Sequence, residues 1–326
     1  MLEASAPAKA ILFGEHAVVY GKPAIAVSLD RRMTIIVKPG KESRVDGGRL
    51  TVRKHRYVRW VMENLWDGPP LEFRTRSDIP SASGLGSSAA LCSSVVSALS
   101  YLKGPGGEET NARNSFEVEY NVQGGASPTD TSCSTHGHGI LVSFEPGEGL
   151  LWSISKKNRT WYIHHIDPPG LTMVVGYTKK PSITPVQVEK VRSYYDRSGF
   201  ARETIEEIGE LVFDALAAMK KGDTVELGAL MDSNHSLLSI LGVSSRELNK
   251  LRDAASPYSY GAKMTGAGGG GSIIALTDRP EDVCRAIKKR GGVPYIVSRS
   301  TRGAEVRVTD EERFVNFNKE NTGEKG

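Results

Sequence analysis

An α+β protein (two-layer α/β) of two domains is expected from three features of the sequence. These are its length of 326 residues, strand-like apolar runs near both ends, and amphipathic helical stripes set between glycine-rich segments. A chain of this length outgrows one compact core, so two units of roughly 150 residues are the natural division. A cleft between them is a good place for a ligand.

The opening segment alternates apolar runs (Ala10 to Phe13, Ala24 to Leu29, Met33 to Val37) with short polar or glycine-containing breaks, which predicts antiparallel strands joined by tight turns. A mixed stretch containing Asp67, Gly68, Pro69 and Pro70 follows. Ile79-Pro80 and a glycine and serine cluster then lead into a helix from Ala89 to Leu102, stopped by Gly104 and Pro105. Asp167, Pro168, Pro169 and Gly170 mark the domain boundary, giving domains of 1–167 and 168–317 and a solvated tail at 318–326. Leu171 to Gly176 is strand-like. The helix Glu203 to Lys221 has apolar residues at 205, 208, 211, 212, 215, 216 and 219, glutamates early, lysines late, and Gly222 as its stop. A second helix runs from near Asp223 to Gly242, and a shorter one starts at about Arg246. Beyond the glycine run at 266–271 come a strand at Ser272 to Leu276, a helix at Pro280 to Lys289, and strands at 293–298 and 304–309.

Composition excludes several classes. Hydrophobic residues make up 39% and charged residues 25%, enough to fill cores and solvate a surface, so the chain is not disordered. The net charge of +4 is spread along the sequence and is too mild for a nucleic-acid footprint, though it suits an anionic small molecule. Cys92, Cys133 and Cys284 have no CxxC spacing, which argues against a disulfide framework or a zinc site and fits a reducing, cytoplasmic compartment. No leader pattern opens the chain and no run approaches 18 apolar residues, so no membrane is expected as a partner.

The sharpest local signal is Ile79-Pro80-Ser81-Ala82-Ser83-Gly84-Leu85-Gly86-Ser87-Ser88-Ala89-Ala90, two glycines and a serine cluster at the mouth of a helix. Glycines let backbone approach an anion, first-turn N–H groups donate to phosphate oxygens, and the helix end adds partial positive charge. A serine-capped helix after a flexible turn is the alternative. Gly84, Gly86 and Ala89 formally satisfy a GxGxxA dinucleotide fingerprint, but no apolar strand directly precedes them. Gly21-Lys22 is followed by Pro23 and lacks the earlier glycine of a Walker A loop. The second cluster, Gly266-Ala267-Gly268-Gly269-Gly270-Gly271, is costly to order and implies backbone passing close to something, with a hinge or crowded hairpin as the alternative.

Glu119 falls in a polar helix-like stretch and Asp130 in the loop-like Gly124-Gly125-Ala126-Ser127-Pro128-Thr129-Asp130-Thr131. Alone, such an aspartate is usually a turn or cap residue, and Lys9 at a strand end is ordinarily solvated. Together with the glycine loop they make one candidate for each part that phosphoryl transfer to an alcohol needs: a phosphate cradle, a carboxylate for a metal, a carboxylate near the hydroxyl, and a cation.

In this order the segments resemble the three signature motifs of the GHMP kinases, over nearly the whole chain. Lys9-Ala10-Ile11-Leu12-Phe13-Gly14-Glu15-His16-Ala17-Val18-Val19-Tyr20-Gly21 resembles the first motif in the form carried by the mevalonate-phosphorylating branch. Pro80 to Ala90 resembles the second, and Lys263 to Gly271 the third. The resemblance implies an N-terminal ribosomal-protein-like βαβ domain and a C-terminal ferredoxin-like domain, with the active site between them. It implies ATP and Mg²⁺ as cofactors, with Pro80, Ser83, Gly84, Leu85, Gly86, Ser87, Ser88, Ala89, Gly266 and Gly268 around the nucleotide. Ser88, with Ser87 as the alternative, and Glu119 would ligate the metal. Glu15, His16 and Thr178 would contact the substrate, and Asp130 and Lys9 would be catalytic.

The substrate implied is mevalonate, phosphorylated at its C5 hydroxyl. Another alcohol of the same family's repertoire is the nearest rival, and a catalytically silent ligand sensor the second. Ala126-Ser127-Pro128-Thr129-Asp130 departs from the PSGxD form and resembles archaeal-type enzymes. Homodimers are common among such enzymes, which makes a homodimer the prior for assembly. His136 and His138 are close enough for a metal pair but lack an evident third ligand, and a turn is the simpler reading; His55, His164, His165 and His235 read as structural or solvated. Lys103 to Glu109 is glycine-rich with no functional account.

Overall fold

The computed structural model describes residues 1–80, 83–104, 106–170 and 172–309. Ser81, Ala82, Pro105, Leu171 at the head of the expected strand, and the expected tail at 318–326 lie outside the described residues. In chain order the elements are β1 (Leu2–Phe13), β2 (Ala24–Pro39), β3 (Arg44–Val45), β4 (Gly48–Arg49), α1 (Val52–Asn64), β5 (Leu71–Ser77), α2 (Ser87–Lys103), α3 (Glu108–Gln123), α4 (Thr129–His136), β6 (Gly139–Ser143), β7 (Leu150–Lys156) and β8 (Arg159–Ile166). The second half has β9 (Thr172–Tyr177), α5 (Thr184–Arg197), α6 (Gly199–Lys221), α7 (Thr224–Ile240), α8 (Arg246–Ala255), β10 (Gly261–Thr265), β11 (Ser272–Leu276), α9 (Pro280–Lys289), β12 (Val293–Ser298) and β13 (Glu305–Val308).

β1 and β2 form a long antiparallel pair from Leu2↔Val37 to Phe13↔Ile25. The runs Ala24 to Leu29 and Met33 to Val37, expected as separate strands, are one strand. Asp30, Arg31 and Arg32 interrupt the apolar pattern without turning the chain, because the register shifts opposite them, between Pro7 and Ala8, and an irregularity absorbs polar residues without ending pairing. β6 pairs with the first part of β2 and β5 with the second. β5 is a strand where the sequence reading saw only a mixed approach to the glycine loop. Leu71 and Phe73 are buried while Arg74 to Ser77 are exposed, so its apolar signal is half-length. It pairs antiparallel to β2, which is not the parallel βαβ unit of a dinucleotide fold.

Among the described residues the second sheet has four antiparallel strands in the order β10-β11-β9-β12. Their succession with the intervening helices is β-α-β-β-α-β, that of ferredoxin-like folds. β13 returns to the first sheet and pairs with β1. α6 runs from Gly199, four residues before the sequence-predicted start, because Ser198 caps it by accepting from Ala201 N. α9 and β12 lie where the sequence places them.

One buried apolar cluster joins the halves: Ala8, Ala10, Leu12 and Phe13 of β1 share it with Val175 of β9, Val212 of α6, Leu227 of α7 and Ile274 of β11. At about 25 cal/mol per Å² of apolar surface, this continuity favours a fixed relation between the sheets. No helix among the described residues is long and apolar enough to cross a membrane.

Candidate active site

Between the halves lies a cavity of about 720 Å³ whose lining includes Lys9, Glu15, His16, Gly84, Ser88, Glu119, Asp130, Gly266 and Ala267. A second cavity of the same volume, between the β6/β8 face and α6, contains none of the sequence-predicted site residues.

α2 begins at Ser87 with Gly86 as its N-cap, in left-handed backbone (φ +71°) and with no side-chain cap. The serine-capped alternative therefore fails here. Among the described residues the first-turn N–H groups have no side-chain cap, and they bring the partial positive charge of a 17-residue helix to the cavity. Gly86 is glycine for a steric reason as well, since a Cβ there would lie 2.8 Å from Cγ and Cε of Lys9. Lys9 N donates to Leu85 O at 3.0 Å and Lys9 Nζ to Gly84 O at 3.2 Å, so strand β1 and the loop hold each other. Ser83 Oγ donates to Pro80 O at 2.7 Å, and Leu85 and Ala89 are buried in the core.

Lys9 is not the solvated strand-end lysine that its local sequence suggests. Its side chain is 2% exposed and Nζ lies 3.0 Å from Asp130 Oδ2. Asp130 occupies the first turn of α4, where the sequence reads as loop, and its charge meets the helix N-terminus favourably. Glu119, on α3, is 3% exposed and accepts from Ser88 Oγ at 2.7 Å and Gln123 Nε2 at 2.8 Å, both through Oε1. Burial, and then the Asp130 charge, push its carboxyl up to about 7, against the opposing Ser88 hydrogen bond and Lys9 charge.

The donor set fits Mg²⁺. Ser88 and Glu119 line the cavity and offer hard oxygens, the hydrogen bonds from Ser88 and Gln123 both fall on Glu119 Oε1, and the Asp130 charge acts on the same carboxyl.

The second glycine cluster is the β10–β11 hairpin loop. It is crowded on several sides: a Cβ on Gly266 would lie 3.1 Å from Gly84 O, on Gly268 2.2 Å from Val243 O, and on Gly271 2.9 Å from Ser83 O. Both readings of that cluster hold at once, because the hairpin is crowded by the phosphate-type loop itself. Thr265 Oγ1 donates to Ile11 O at 3.0 Å and accepts from Ile11 N at 3.1 Å, tying the hairpin to β1.

His16 has φ +62° and ψ −41°, a strained conformation for a side-chain-bearing residue. Its Nε2–H donates to Ala267 O at 2.9 Å, and burial lowers its pKa to about 4. The ring is thus neutral at neutral pH, and with the proton on Nε2, Nδ1 is a bare acceptor. The Glu15 carboxylate is ion-paired to Lys263 in a pair that is 1% and 0% exposed, and it also accepts from Asn234 Nδ2 at 3.1 Å. Thr178 is not among the cavity-lining residues; its hydroxyl donates to Gly271 O at 2.7 Å and supports the hairpin.

Sequence reasoning assigned no role to Lys263 or Asn234, nor to Lys157, Arg159 and Arg192, which also line the cavity. A lysine inside the otherwise apolar strand β10 was the available signal for Lys263. His235, read as structural, accepts from Met264 N at 3.1 Å and braces the same strand.

Residues 54–138 match the GHMP kinases N terminal domain, and residues 215–293 match GHMP kinases C terminal. The mevalonate kinase of Methanothermobacter thermautotrophicus is 39% identical over 294 residues, covering 83% of this chain and 89% of that protein. The mevalonate kinase of Pyrococcus abyssi is 35% identical over 341 residues, covering 93% and 97%. A solved mevalonate kinase structure superposes with a TM-score of 0.74 at 26% identity, covering 92% of this chain and 99% of that one. L. major mevalonate kinase in complex with R-mevalonate shares the fold, with a TM-score of 0.75 at 24% identity over 92% of this chain and 96% of that one. With two helix-and-sheet units meeting at this cavity and relatives of this identity along most of its length, the chain belongs to the GHMP kinases, which transfer phosphate from ATP.

Proposed function

We propose that this kinase phosphorylates the primary alcohol of mevalonate, giving 5-phosphomevalonate and ADP. The observation that carries the reading is the pairing of the buried Lys9 with the cavity-facing Asp130, 3.0 Å apart at the mouth of the glycine loop. Relatives 39% and 35% identical over most of the chain bear the name mevalonate kinase, and the cavity offers the polar groups the reaction needs.

Asp130 orients the C5 hydroxyl and accepts its proton as the oxygen attacks the γ-phosphorus and the bond to the β-phosphate oxygen breaks. Lys9 keeps Asp130 ionised and offsets charge gathering on the transferring group. The backbone from Gly84 to Gly86 and the first turn from Ser87 to Ala89 donate to phosphate oxygens, while Gly266 and Gly268 let the hairpin close on the same loop. Ser88 and Glu119 would hold Mg²⁺, which would screen the phosphate charge. His16 Nδ1 accepts from the substrate. Glu15 acts through Lys263, fixing the turn that carries His16, and Thr178 supports the hairpin. Lys157 and Arg192 also line the cavity, and their positive charge suits the carboxylate of mevalonate.

Coupled ADP release with Mg-ATP and mevalonate, phosphomevalonate or homoserine tests the reading, with ³¹P NMR of the product. Turnover on mevalonate giving a primary phosphate ester is expected. Turnover on another alcohol only, or on none, would overturn the substrate assignment.

A further inference from the structure

Two short sequences that the cavity does not use meet at the ends of α3 and α4 away from Glu119 and Asp130. His136-Gly137-His138 closes α4 and leads into β6, and His165-Ile166-Asp167 closes β8. β6 and β8 pair antiparallel with Gly139 opposite Ile166. Continuing that register by one residue sets His138 opposite Asp167. His165, two residues before Asp167, projects to the same face. The outcome is a cluster in which His138, His165 and Asp167 each offer a ligand atom within 4.8 Å of the others. His138 thus finds its partners in a strand 27 residues further on, and His136 stands behind His165, outside the set.

We propose that His138, His165 and Asp167 form a binding site for a divalent transition metal that favours imidazole, Zn²⁺ in the first instance, separate from the kinase cavity. The ring orientation supports this independently of the clustering. His136 Nδ1 lies 2.7 Å from Glu108 Oε1, and the carboxylate can only accept, so that nitrogen carries the proton. His136 Nε2 is then a lone pair, and it lies 2.8 Å from His165 Nδ1, which must therefore be the donor. His165 Nε2 is left bare. A carboxylate-to-imidazole chain behind a ligating ring is the usual device for fixing its tautomer and raising its basicity.

His138 is held equally firmly. Its backbone is left-handed (φ +50°), its N–H donates to Ser300 O at 2.8 Å and its carbonyl accepts from Ser28 N at 2.8 Å. Its Nδ1 is buried with no hydrogen-bond partner, 3.7 Å from Asp167 Oδ1. Asp167 pairs with Arg299 through the same oxygen, which leaves Oδ2 for a metal. Tetrahedral Zn²⁺ holds its ligand atoms roughly 3.3 Å apart, so the set must contract to bind it, a movement that the 65%-exposed Asp167 can supply. The guanidinium of Arg299 disfavours cations held by charge alone, so the site selects an imidazole-seeking metal over Mg²⁺.

The test is calorimetric titration of the full chain with Zn²⁺ under millimolar Mg²⁺, so that carboxylate sites are already filled, with Co²⁺ absorption as a second readout. One equivalent of Zn²⁺ and visible bands from Co²⁺ bound to nitrogen ligands are expected. H138N should weaken Zn²⁺ binding at least tenfold while leaving Mg-ATP turnover unchanged, because asparagine tolerates left-handed backbone; H165Q tests the same site from β8. No stoichiometric binding by the natural chain, or equal binding by both variants, would overturn the proposal.

Discussion

Lys9 Nζ reaches Asp130 Oδ2 at 3.0 Å only because its side chain passes over Gly86, where a Cβ would sit 2.8 Å from two Lys9 carbons. Gly86→Ala must therefore displace the lysine as well as strain a φ of +71°. We expect a loss of about 1–3 kcal/mol in stability together with a fall in kcat. Gly21→Ala is the control: φ is +86° but no atom lies within 4 Å of the new methyl, so stability should fall while kcat holds. Urea unfolding and steady-state turnover of both variants measure the difference. Equal kcat in the two would detach Gly86 from the placement of Lys9.

Glu119 gives a pH dependence with a definite sign. Its carboxyl is raised to about 7 in the folded chain from an ordinary 4.5, so between these values the folded state holds a proton that the unfolded state has lost. Its contribution to stability therefore declines as pH rises from about 4.5 to 7 and stays low above that. Glu119→Gln keeps the acceptor for Ser88 and removes the titration. In metal-free buffer the variant should gain on the natural chain by on the order of 2 kcal/mol between pH 5 and pH 8. A stability difference that does not change with pH would contradict this account of the site. Mg²⁺ should narrow the gap at pH 8 by binding the ionised carboxylate.

The Glu15–Lys263 pair is fully buried, and burial lowers the lysine's pKa against the Glu15 charge that holds it up. Lys263→Met leaves a carboxylate without its counter-ion and should cost roughly 3–5 kcal/mol. Lys263→Met with Glu15→Gln should cost less than the two single changes added together, a coupling that a double-mutant cycle in urea reads directly. Additive losses would mean the pair acts only as two independent packing groups.

How legible this was in the sequence depended on how each feature is encoded. The glycine loops were readable because close backbone approach restricts the residue type, and Gly84, Gly86, Gly266 and Gly268 all have positive φ. α6 and α9 were readable from their buried stripes. β5 and α5 were not: β5 buries Leu71 and Phe73 alone among its apolar candidates, and α5 buries only Val191. Neither carries enough periodicity to stand out. Asp130 reads as loop because Gly124, Gly125 and Pro128 surround it, yet a short helix starts just after the proline. Lys263 and Glu15 lie 248 residues apart, and nothing local announces a pair formed by two sheets meeting.

The most direct test of the proposed chemistry is kcat and ATP affinity for Asp130→Asn, which keeps the shape beside Lys9 and removes the proton acceptor. The variant's kcat should be lower by about 10²- to 10⁴-fold with ATP affinity little changed. A kcat equal to that of the natural chain would remove Asp130, and with it the Lys9–Asp130 pair, from phosphoryl transfer.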